Sequence, residues 1–151
     1  MLYETLDTIA DSVNPALACL ALIFPWLDRE AIRKKGSKWS FWARTLLSLA
    51  VVYALMFTDH RFRLWPSLGL DYSTHTAFAV AVVTSIGAMN YRWLFFLAPV
   101  LVAYAGLMMY QGYHSLMDIL TTALVIAPLT WAIHGIGRGQ KRVVPILSQN
   151  R

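Results

Sequence analysis

Long apolar runs, parted only by short clusters of charge, constrain this chain more than any other feature. The runs cover roughly 13–27, 40–58, 72–89, 93–109 and 114–134. A helix crosses the ~30 Å hydrocarbon of a bilayer in about 20 residues, and satisfies its own backbone groups as it does so. The first run is short by that measure and is broken by Pro25. The expected fold is therefore all-α: a polytopic membrane helix bundle of about five transmembrane helices. Leu2, Leu6, Ile9 and Val13 recur at helical spacing, which predicts a short interfacial helix over 1–12.

Composition supports this. The hydrophobic share is 58% and the charged share 14%, beyond the usual ranges of a soluble domain of 151 residues. A net charge of +5 would suit a nucleic-acid binder, but the charges sit between apolar runs, as loop charges of a membrane protein do. No nucleic-acid partner is expected; the bilayer is. The lone Cys19 has no internal disulfide partner. The acidic start, with Glu4, Asp7 and Asp11, lacks the basic leader of a signal peptide.

Charge also orients the bundle. The 28–39 loop carries Arg29, Arg33, Lys34, Lys35 and Lys38, which places it in the cytoplasm. Five crossings then put Arg92 and the basic tail 136–151 on the same side. The N-terminus, the 59–71 loop and the 110–113 turn fall outside. Of 13 Lys and Arg residues, only Arg61 and Arg63 lie on the outer side.

Two outer stretches carry the chemistry. Asp71 and His75 are four apart at the start of one apolar run; His114 and Asp118 are four apart at the start of another. On a helix that spacing brings side chains together. A carboxylate at Asp118 can accept a proton from His114 Nδ1, fixing the tautomer and activating the other nitrogen. His75 is then available as a general acid. Both stretches open helices, whose free N–H groups favour an anion such as phosphate. The same residue types, with His60, could instead ligate zinc or iron, and His75 with His114 could hold haem. A polar cluster that only joins helices is the remaining alternative.

Ser73-Thr74-His75-Thr76-Ala77-Phe78-Ala79 resembles the Pro-Ser-Gly-His-Thr-Ala motif of the type 2 phosphatidic acid phosphatase superfamily. The stretch Tyr110 to Leu120, with Gly112, His114 and Asp118, resembles that superfamily's last motif. The likeness covers roughly 40–135, a phosphatase-like core within a single membrane domain, 1–151. It implies a hydrolase of a lipid phosphate or pyrophosphate, acting through a phosphohistidine at the periplasmic face of a bacterial inner membrane, with no metal and no cofactor. His114 would be the nucleophile, Asp118 its orienting acid and His75 the acid for the leaving group. Ser73 and Thr74 would contact phosphate oxygens. Arg61 and Arg63 are the outer-loop candidates for the cationic clamp, because Met108 stands where the last motif has arginine. Tyr72 and Thr74 replace the proline and glycine of the Pro-Ser-Gly-His-Thr-Ala motif. The alternative is a catalytically inactive relative that binds a phosphorylated lipid or joins a membrane-protein partner or a homo-oligomer.

Overall fold

A computed structural model describes residues 2–136. The basic tail expected over 136–151 lies outside them, apart from Ile136. The described residues form helices α1 (Leu2–Leu27), α2 (Arg29–Lys35), α3 (Lys38–Phe62), α4 (Thr74–Met89), α5 (Arg92–Tyr110) and α6 (Leu116–Gly135). A single 3₁₀ turn, Pro66–Leu68, lies between α3 and α4. α1, α3, α5 and α6 are long and apolar enough to cross a membrane; α4 is apolar but has only 16 residues. The chain is thus a helical bundle fit for a bilayer, as its apolar runs predict.

α4 is the axis of the bundle. It packs on α1, α3, α5 and α6. Ala77, Ala79, Ala81, Val82 and Ile86 have no solvent exposure. Small side chains permit this, because helices in lipid associate by close van der Waals packing. At Gly87 α5 comes very near: a Cβ there would sit 2.5 Å from Leu94 Cδ2. A helix wrapped by others need not itself match the bilayer. At 1.5 Å per residue α4 extends about 24 Å.

Three expectations need correction. There is no separate interfacial helix over 1–12, and the first span is not short. Residues 2–27 form one helix that runs through Pro15 and Pro25. Its early turns are docked on the bundle. Ala10 and Leu17 are buried, and Asp7 accepts hydrogen bonds from Gln111 Nε2 (2.5 Å) and Tyr113 Oη (3.1 Å). Tertiary contacts thus outweigh the tendency of proline to interrupt a helix. The 28–39 segment, expected as a loop, contains α2. Asp28 caps α2 by accepting from Ala31 N, and the cations Arg33, Lys34 and Lys35 fall in its last turn, where the helix dipole favours them.

The Asp28 side chain also ties the two connections at this end together. Its Oδ2 accepts from Asn90 Nδ2 (2.7 Å) and Trp93 Nε1 (3.1 Å). Burial would push this carboxyl up, but the donors from Asn90, Ala31 and Trp93 outweigh it and hold the group below its usual value. A depressed carboxyl adds stability above its unfolded value, and that stability disappears as pH falls through its folded value. Thermal unfolding in detergent should therefore show wild type losing stability below about pH 4. Asp28→Ala should cost about 1–3 kcal/mol at neutral pH and flatten this acid limb.

Candidate functional site

The end of the bundle opposite Asp28 gathers the polar residues. The α3–α4 connection is held rigidly there. Asp59, buried near the end of α3, accepts from Trp65 N at 2.7 Å. The Trp65 ring packs edge-on against Tyr72 at 4.9 Å between centroids, and its Nε1 donates to Thr121 Oγ1. Tyr72 donates its hydroxyl to Val52 O. Tyr72, at the place of the motif proline, is thus a core residue that anchors the loop. The α5–α6 turn depends on Gly112, whose φ of +73° suits glycine far better than any residue with a Cβ.

These two connections bring the predicted histidines together. His75 and His114 open into one cavity of about 230 Å³, whose walls also include Asp11, Met108 and Tyr113. His75 is exposed, on the first turn of α4. His114 has a side chain only 12% exposed, just before α6. The likeness in sequence order, two histidines 39 positions apart, becomes a juxtaposition in space through α4 and the α5–α6 turn.

The pairing of acids with histidines differs from expectation. Asp118 makes no hydrogen bond to His114. Its Oδ1 accepts from Asp71 N (2.7 Å), and its Oδ2 accepts from Ser115 N (2.8 Å) and Ser115 Oγ (2.7 Å). Ser115 Oγ accepts in turn from Asp118 N, which completes a capping box. The carboxylate near His114 is Asp71, with Oδ2 3.5 Å from Nδ1. The physical reason is where the helix begins. α6 starts at Leu116, so His114 lies outside it and the i, i+4 relation to Asp118 does not apply. Likewise Asp71 precedes the Ser73 cap of α4 and is not stacked on His75. The two stretches instead exchange partners: Asp118 fixes the backbone of Asp71, and Asp71 presents its carboxylate to His114.

His114 Nδ1 is buried and has no hydrogen bond at the present separation. A proton on Nδ1 directed at Asp71 would leave Nε2 as the nitrogen with a free lone pair. Catalytic hydrogen bonds often tighten only once substrate is bound. Tyr113, on the same wall, donates to Asp7 and is itself pushed above its usual value, chiefly by that hydrogen bond and by the negative charge of Asp7. It serves as a neutral donor, not as a base.

The remaining predicted residues are less close. Ser73 has no exposure; its Oγ donates to Thr76 Oγ1 and accepts from Thr76 N, and its N–H donates to Thr122 Oγ1. It builds the start of α4. Thr74 shares with His75 a second cavity, of about 330 Å³. Arg61 and Arg63 are exposed and line neither cavity. Arg61 lies over the Phe62 ring, and Arg63 ends α3 in the left-handed conformation, φ 54°. Among the described residues no group of three or more His, Cys, Asp or Glu is placed to hold a metal ion. Asp11 and Asn14 were not singled out from sequence, yet both line the cavity shared by His75 and Thr74. Asp7, Asp11 and Asn14 recur at spacings of four and three, a polar stripe on an apolar helix that could have revealed them.

A search of protein families, of curated proteins and of solved structures finds no match to this chain.

Proposed function

We propose that this chain is a divergent member of the type 2 phosphatidic acid phosphatase superfamily, acting on a membrane lipid phosphate or pyrophosphate. The observation that carries this reading is the single cavity shared by His75 and His114, on separate helix starts at one end of the bundle. Position along the chain gives each a role. His114 Nε2 attacks phosphorus while Asp71 stabilises the charge on its ring. The bond from phosphorus to the leaving oxygen breaks, and protonated His75 gives that oxygen its proton. Water then attacks the phosphohistidine, giving its proton to His75 and releasing phosphate and His114. Charge bias favours the outer side for this end, and the resemblance implies that this is the periplasmic face of a bacterial inner membrane.

Electrostatics limit the rate. The transferring phosphoryl group needs positive charge around its oxygens. Asp11 and Met108 stand in the cavity wall, and no Lys or Arg does among the described residues. This favours a second reading, a relative that holds its lipid without turning it over.

The test is phosphate release by purified protein in detergent from a panel of lipid phosphates and pyrophosphates. Slow release is expected, falling at least about 100-fold in His114→Ala, with acid-labile phosphate trapped on wild-type protein only. Lipid binding with no release from any substrate would replace the first reading with the second.

A further inference from the structure

We infer that the cleft between α1 and α3 holds one acyl chain of a lipid whose headgroup carries an ammonium. This inference stands on the cleft itself and does not require turnover at His114. Two cavities meet at Ala18. The outer one, about 330 Å³, has Asp11, Asn14, Tyr53 and Phe78 in its walls. The inner one, about 490 Å³, is walled almost wholly by apolar side chains, including Leu22, Leu46, Leu49 and Trp42. α4 forms the floor of both, through His75 and Phe78 in one and Val82 in the other. Trp42, which donates to Ala21 O and packs on Trp26, brings α1 and α3 together at the inner end.

Dimensions select a chain from one leaflet. From Asp11 to Leu22 a helix rises ~16 Å. Half of the ~30 Å hydrocarbon is ~15 Å, the depth reached by a lipid of the outer leaflet. The polar end of the cleft is at the outer end of the bundle and the apolar end reaches inward, which is the polarity of such a lipid.

Charge selects the headgroup. No Lys or Arg lines either cavity among the described residues. Asp11 offers a carboxylate. Asn14 Nδ2 donates to His75 O, which can only accept, so Asn14 Oδ1 is left over, buried and without a donor. Two acceptors with no Lys or Arg beside them call for a ligand rich in N–H groups. The rings of Tyr53 and Phe78 beside them suit an organic cation. A bare phosphate at this mouth would meet Asp11 with no Lys or Arg in the wall to offset the repulsion.

Binding decides the matter. Lysophosphatidylethanolamine and lysophosphatidic acid, brominated in the same chain, would be titrated against the full chain in detergent, with tryptophan quenching as readout. Trp39 and Trp42 lie on the inner cavity, and a Trp42→Phe variant identifies their share of the signal. Wild type should bind the ethanolamine lipid at least tenfold more tightly. Asp11→Asn should erase that preference, and Ala18→Trp, which blocks the junction, should weaken both lipids at least tenfold. Equal affinities in wild type, or a preference untouched by Asp11→Asn, would overturn the headgroup assignment. Binding unaffected by a folded Ala18→Trp would overturn the chain's place, as would self-association through this cleft. Phosphate release is not part of the readout, so an inactive His114 leaves the result intact.

Discussion

Met108→Arg should raise phosphate release from a lipid phosphate by about 10²–10³, the usual worth of one well-placed donor to a developing oxyanion. Met108 is only 2% exposed and lies in the wall of the cavity that His75 and His114 share. It is also six residues before His114, where the resembled motif has arginine. A guanidinium would supply two parallel donors to equatorial oxygens. A buried charge without a partner is strongly destabilising, but Asp11 in the same wall provides one. The variant should therefore fold, with a modest fall in thermal stability. Met108→Lys should gain less, since an ammonium lacks the planar fork. The gain must vanish in the double variant with His114→Ala. A folded Met108→Arg protein that releases phosphate no faster than wild type would remove phosphoryl transfer as the chemistry of this cavity.

Much of the bundle is legible in the residues themselves. Apolar runs predict about five transmembrane helices, and the structure has an apolar helix for each run, four of them long enough to cross a membrane. Both polar stretches occupy one end, as counting the crossings requires. What was hidden is what depends on contacts between distant residues. The docking of residues 2–12 rests on Asp7 meeting Gln111 and Tyr113, more than a hundred positions away. No local pattern shows that, and so residues 1–12 read as a separate helix in sequence although one helix runs from Leu2 to Leu27. The depth of α4 was written in its alanines and valines, but not that a 16-residue helix would become the axis.

The candidate site was legible by residue and not by pairing. His75 and His114 were singled out from their positions at the starts of apolar runs, and they share a cavity. The spacing of four from His114 to Asp118 suggested a bond that the structure replaces. A one-residue question decided it, whether the helix begins before or after Ser115. A serine followed three residues later by an acid is a capping signature, and that signature was present in Ser115 and Asp118. It was the better guide, because the Asp118 carboxylate is engaged by Ser115 at its own helix start and by the Asp71 amide, not by His114.

Asp118 is consequently the residue whose loss should do most damage to the fold at this end. Its carboxylate accepts three hydrogen bonds, from Asp71 N, Ser115 N and Ser115 Oγ, and its side chain is buried. Asp118→Ala removes half of the capping box and leaves the Asp71 amide without an acceptor. Loss of a cap costs about 0.5–2 kcal/mol and loss of the charged acceptor of the Asp71 amide about 1.5–3 kcal/mol, so a loss of about 2–5 kcal/mol is expected. Asp118→Asn should recover part of this, because its amide oxygen can still accept from Asp71 N while its NH₂ cannot accept from Ser115. Thermal unfolding in detergent reads both. Asp71→Asn provides the contrast. The Asp71 side chain is 68% exposed and its backbone bond to Asp118 is unchanged, so stability should hardly move. Phosphate release should nevertheless fall, because His114 loses the carboxylate that steadies its ring. If Asp71→Asn keeps full activity while Asp118→Ala loses it at a temperature where the protein is still folded, Asp118 acts on His114 by another route, and the exchange of partners seen here is not the one that catalysis uses.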